Sequence, residues 1–123
     1  MIGSTRNVRV YAFPAPTDMR KSYDGLFGLV RHVLGEDPLS GHMFLFVAKN
    51  RRSAKVLLYD GTGLCIYSKR LQRGLFVAPW ERCGEGPVRM TQSELALFLE
   101  GSQAVCKNLS PEPYLARETL SYS

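Results

Sequence analysis

The sequence predicts an α+β fold: one domain with a small antiparallel sheet in β-α-β-β-β-α order and helices packed on a face of it. Three observations carry that prediction. Apolar residues alternate at period 2 along four short segments, they recur at the helical period along two others, and capped or glycine-rich turns separate the two kinds.

Val8 to Phe13 alternates Val8, Val10 and Ala12 with Arg9, Tyr11 and Phe13, then meets Pro14 and Pro16, which stop strand pairing. A first strand and a rigid turn are expected there. From Tyr23 the period changes, because Tyr23, Leu26, Phe27, Val30, Val33 and Leu34 follow the spacing of a helix with one buried face. Ser22 is its expected N-cap and Gly35 its expected C-terminal stop. Gly25 and Gly28 each weaken such a helix by about 1 kcal/mol relative to Ala. Their expected use is close packing of the helix on the sheet.

Met43 to Ala48, Ala54 to Tyr59 and Leu64 to Leu71 read as three strands joined by Lys49 to Ser53 and by Asp60-Gly61-Thr62-Gly63. Asp and Gly tolerate positive φ, so the second turn is a strong hairpin signal and the three strands form a meander. After a loop from Pro79 to Pro87, a last helix near 92-100 is punctuated at both ends. Thr91 and Glu94 make a capping box, Met90 and Leu95 a hydrophobic staple, and Gly101 sits at C′. The domain is expected over 1-104. Residues 105-123, with Pro111 and Pro113, form a C-terminal tail of weak periodicity.

At 123 residues the chain fits one domain, able to bury roughly two thirds of its unfolded surface. Hydrophobic residues at 45% and charged residues at 22% are ordinary for a globular protein and exclude a disordered linker. Cys65, Cys83 and Cys106 lack the paired spacing of a zinc ribbon and lie far in sequence from His32 and His42, so reduced structural thiols are expected. The longest apolar run, Met43 to Ala48, is too short to span a membrane, and the N-terminus carries no signal-peptide core. A cytoplasmic protein without membrane contact is expected.

Catalytic constellations are missing. Asp18 and Asp24 flank a helix start, where negative charge is favoured anyway, and Asp60 belongs to a turn, so no carboxylate set for metal-dependent phosphoryl chemistry emerges. Neither a serine-nucleophile motif, a phosphate loop nor a zinc-protease helix occurs. Spacing alone leaves a Cys with His pair open, though buried thiols are far commoner. The expectation is a non-enzyme with no catalytic residue, no metal and no cofactor.

Charge is the informative feature. The chain holds 16 Lys and Arg against 11 Asp and Glu, a net +5. Residues 49 to 73 concentrate Lys49, Arg51, Arg52, Lys55, Lys69, Arg70 and Arg73 against Asp60 alone, so this segment is +6 and the remainder −1. Such charges can simply keep a sheet soluble and block edge pairing. The meander, however, folds Lys69 to Arg73 back to the end where Lys49 to Lys55 turns. One concentrated patch results, with Tyr67, Phe76 and Trp80 nearby in sequence, suited to phosphate contact and base stacking.

Several segments resemble a known family: Pro16-Thr17-Asp18-Met19-Arg20-Lys21-Ser22-Tyr23-Asp24-Gly25-Leu26, Leu34-Gly35-Glu36-Asp37-Pro38-Leu39-Ser40-Gly41-His42, Asp60-Gly61-Thr62-Gly63-Leu64-Cys65, Lys69-Arg70-Leu71 and Leu95-Ala96-Leu97-Phe98-Leu99-Glu100-Gly101. In collinear order over roughly residues 8 to 104, they are similar to the TnpB accessory proteins, or second-open-reading-frame-like proteins, of the insertion sequence family numbered sixty-six. The resemblance implies participation in DNA transposition beside a separate transposase that carries the acidic catalytic triad, and transfers no catalytic residue. The chain departs from the family at Thr62, at Tyr67-Ser68 and at Gln72, where an acidic residue, two aromatics and Glu are frequent. Two roles stay open: a factor that binds DNA, weakly sequence-specific, through the basic hairpin surface, or an adaptor that assembles the transposase without contacting DNA.

Overall fold

In the computed structural model, which describes residues 7–82 and 88–101, Val10–Ala12 forms β1 and Met43–Val47 forms β2, side by side and parallel. Between them the chain forms α1 over Tyr23–Gly28 and continues directly into a π-helical turn over Leu29–Leu34. Ser53–Tyr59 (β3) and Leu64–Arg70 (β4) complete the meander on one side of β2. Pro79–Arg82 (α2), Val88–Met90 (β5) and Gln92–Leu99 (α3) follow. The sheet order is β4-β3-β2-β1-β5.

The fold class is the predicted one, a single α+β sheet-and-helix domain, with three differences in detail. The sheet is mostly rather than wholly antiparallel, because a strand-helix-strand connection returns the chain to the end it started from and so lays β2 parallel to β1. A fifth strand appears at Val88–Met90, paired antiparallel with β1 in the register Val10↔Met90. It is three residues long and its partner lies far away in sequence, so no local pattern announces it. The helices also take both faces of the sheet rather than one.

Strand alternation sorts the core into two layers. Val10, Ala12, Leu45, Val47, Ala54 and Val56 point to the face covered by Phe76, Leu95 and Phe98, while Tyr11, Phe13, Phe44, Phe46 and Leu57 point to the face covered by Leu26 and Val30. The unbroken apolar run of β2 follows, since a central strand with helices on both sides has no wet face.

The first helix corrects its predicted buried face. Leu26 and Val30 are fully buried, but Tyr23 and Val33 are exposed and Leu29 packs inward instead. In the π-helical turn the bonds reach five residues, so Leu29 and Leu34 share a face and Val33 rotates outward. Gly35 ends it in the left-handed conformation, φ 72°, as expected, whereas Ser22 makes no side-chain cap bond. Gly25 does not serve the sheet: a Cβ there would lie 3.1 Å from the Lys21 side chain, and one at Gly28 would meet only His32.

The last helix is capped as predicted. Glu94 N donates to Thr91 Oγ1 at 3.1 Å and Thr91 N to Glu94 Oε1 at 2.8 Å, with Met90 and Leu95 buried in the same cluster and Gly101 at φ 87°. The predicted domain boundary at 104 and the tail 105-123 lie outside the described residues, as do Cys83 and Cys106.

Candidate nucleic-acid interface

The turn between β2 and β3 sets the site. Arg51 N donates to Ala48 O at 2.9 Å and Asn50 Oδ1 accepts from Arg52 N at 2.9 Å, which leaves Arg51 left-handed at φ 62°, the only described residue other than glycine with positive φ. Two bonds to one residue hold it there: Phe76 N donates to Arg51 O at 2.7 Å, and Arg51 Nε donates to Phe76 O at 2.8 Å. Arg51 thus clamps the loop after β4 onto the turn.

The register Ser53↔Arg70 and Ala54↔Lys69, extended by Leu71 N donating to Arg52 O at 2.8 Å, lays the end of β4 beside that turn. Lys49, Arg51, Arg52, Lys69, Arg70 and Arg73 therefore gather at one end of the sheet. They do not share one face. Lys69 stands opposite Ala54 on the α3 side, while Arg70 stands opposite Ser53 on the side of α1. Lys55 is also on the α1 side, where its Nζ donates to Lys21 O at 2.7 Å. Of the seven cations, Lys49, Arg52, Arg70 and Arg73 are exposed, Arg51, Lys55 and Lys69 half-buried.

A second segment, unmarked by local sequence pattern, joins this end. Thr17 N donates to Val47 O at 2.9 Å and draws Pro16 to Lys21 against the turn. An open groove of about 670 Å³ lies between them, lined by Thr17, Asp18 and Met19 of that segment and by Ala48, Lys49, Asn50 and Ser53 of the turn. Asp18 is not a helix-start charge as expected. Its carboxylate takes the Arg20 guanidinium, Nη2 to Oδ2 at 2.8 Å, and also accepts from Arg20 N, which holds it at a pKa of about 2. Arg20 is thereby neutralised locally, and Lys21 is the additional exposed cation at this end.

Asp60, the segment's one acid, sits at the opposite end of the β3-β4 hairpin. Its Oδ1 accepts from Thr62 N at 2.8 Å, Gly63 N at 3.0 Å and Thr62 Oγ1 at 2.9 Å, which lowers its pKa to about 2. A depressed carboxylate pKa means that the turn's contribution to stability is present above the unfolded value near 4 and is lost as pH falls through about 2. Asp60→Asn should keep an acceptor at Oδ1 and flatten that acid limb, while Asp60→Ala should lose protection of the Thr62 and Gly63 amides at neutral pH as well. Hydrogen exchange across a pH series checks both. Cys65 beside it is half-buried, its Sγ 3.6 Å from Asp60 Oδ2, and burial together with that carboxylate raises its thiol pKa, which marks an unreactive thiol.

The three aromatics near the patch separate. Phe76 is buried and stacks on Phe98 at 5.4 Å, and Trp80 is half-buried against the same core; of the three only Tyr67 is exposed. No cluster of three or more metal-ligating side chains exists among the described residues, and no helix among them is long and apolar enough to cross a membrane.

The chain is similar to two proteins of Sinorhizobium fredii, each described as an uncharacterized protein: y4hO at 37% identity and y4jC at 33%, both over 101 residues. The matches cover 82% of this chain and 86% and 85% of the relatives. No solved structure matches it. The model of the IS66 Orf2-like proteins matches residues 8–108, a span that takes in the whole sheet, the groove segment and every cation of the basic end. The chain belongs to the IS66 Orf2-like family, which supports an accessory role in insertion-sequence transposition.

Proposed function

We propose that the protein is a non-catalytic accessory factor of transposition, cytoplasmic, which binds DNA backbone through the basic end of its sheet while a separate transposase performs the chemistry. The observation that carries this reading is the gathering of Lys49, Arg52, Lys69, Arg70 and Arg73 at one end of the sheet, with Asp60 at the other. Cations on both sides of a sheet end suit the phosphates of a duplex passing across the strand ends, and phosphate contacts give affinity without strong sequence preference.

A gel-shift series on element-end DNA, with and without the transposase, tests it. The protein alone is expected to shift DNA of any sequence at low salt, to release it as salt rises, and to cleave nothing when Mg2+ is added. A protein that fails to shift DNA even at low salt and yet co-purifies with the transposase is an adaptor. Cleavage that disappears in a folded Asp18→Ala variant would identify an enzyme.

A further inference from the structure

We propose that β4 is a self-association surface: two copies of this chain pair β4 to β4, antiparallel about a two-fold axis at Tyr67, joining their sheets into one of ten strands. β4 ends the sheet, bordered by β3 alone. The opposite edge, β5, is only three residues long, whereas β4 runs seven residues without proline. A long regular edge is a template for another strand.

The register fixes which backbone groups are on offer. Asp60 N donates to Gly63 O and Leu71 N to Arg52 O, so both pairs are hydrogen-bonded, and the antiparallel ladder alternates between them. Cys65, Tyr67 and Lys69 therefore turn their backbone groups to β3, and Leu64, Ile66, Ser68 and Arg70 turn theirs outward.

Side chains choose the partner and the register. The first half of β4 is apolar, Leu64 to Tyr67, and the last two residues are cationic. Pairing about Tyr67 sets Leu64 opposite the partner's Arg70, Cys65 opposite the partner's Lys69 and Ile66 opposite the partner's Ser68. No cation then faces a cation. A slide of four residues toward the C-terminus would set Lys69 against its own copy, so the charges that would otherwise guard an edge here exclude that register and leave the pairing about Tyr67 free of like-charge contact. The same register carries each Asp60 turn toward the end of its partner that holds Arg70 and Arg73. Tyr67, 52% exposed although its cross-strand neighbour Val56 is buried, meets its own copy across the axis, where aromatic pairs are favourable. This inference does not rest on DNA binding.

Light scattering on the full chain over a concentration series should give twice the 13.8 kDa chain mass at high concentration. Ser68→Pro should return it to one chain mass without disturbing the fold, because the amide it removes faces away from β3. Tyr67→Cys as the sole thiol, with the three native cysteines changed to Ser, should form a disulfide dimer under mild oxidation, since a directly opposed non-hydrogen-bonded pair brings the Cα atoms to about 4.5 Å. Ser68→Cys in the same background should not. A monomer at every concentration, or a dimer that neither Ser68→Pro dissolves nor Tyr67→Cys cross-links, overturns the proposal. A wild-type disulfide through Cys65 would overturn the register.

Discussion

Replacing Phe44 with Ala is expected to cost roughly 3–5 kcal/mol, the penalty for deleting a buried aromatic ring and leaving a cavity behind. Phe44 is fully buried on the central strand, stacked on Tyr11 at 5.7 Å, in the layer that Leu26 and Val30 close from the helix side. β2 is held by neighbours on both edges and cannot shift to fill the space without breaking the registers to β1 and β3. Domains of this size have about 5–15 kcal/mol of stability in all, so the variant should be near its unfolding midpoint in modest urea. Leu97→Ala, on the exposed side of α3, is the matched control and should cost far less. Urea unfolding with an unchanged m-value checks the pair. A loss below about 1 kcal/mol at Phe44 would mean that the helix layer is not packed on the sheet as described.

The largest functional effect is expected from removing Lys49, Arg52, Arg70 and Arg73 together by substitution with Ala. All four are exposed, so their substitution should leave the core undisturbed. Each DNA phosphate that a cation no longer neutralises should reduce the slope of log affinity against log salt by about 0.9, so removing four such cations flattens it by about 3.6. The weakening should be equal for element-end and unrelated sequences, and the urea midpoint should stay near that of the parent. Arg51 is unsuitable for this set. Its guanidinium holds the Phe76 carbonyl, so Arg51→Ala mixes a loop effect with any charge effect. Titration by fluorescence anisotropy at several salt concentrations reads the slope; an unchanged slope would remove DNA backbone from the role of this end.

What the sequence determined by itself is the part written in neighbouring residues. The Thr91 and Glu94 box, the Gly35 and Gly101 stops and the Asp60-Gly61 turn each depend on side chains within a few positions, and each appears where its spacing puts it. Alternation likewise placed β1 to β4 to within one or two residues at most ends, because one residue out of step would turn a whole strand inside out. The clustering of two basic stretches at one sheet end also followed from counting strands and turns.

Tertiary structure alone decided the rest. β5 exists because Val88–Met90 pairs with β1, a strand distant in sequence, in a register no local spacing encodes. The π-helical turn at Leu29–Leu34 seats Leu29 and Leu34 on the sheet, and packing of that layer, not helix propensity, selects it. The division of the cations is of the same kind. Arg51 looks like its neighbours in the sequence, yet the loop carrying Phe76 returns beside it and takes its Nε, and Lys55 is drawn to the Lys21 carbonyl. Partners 25 and 34 residues away settle which positive charges remain for another molecule, because a donor's availability depends on the acceptors that folding brings within about 3 Å of it.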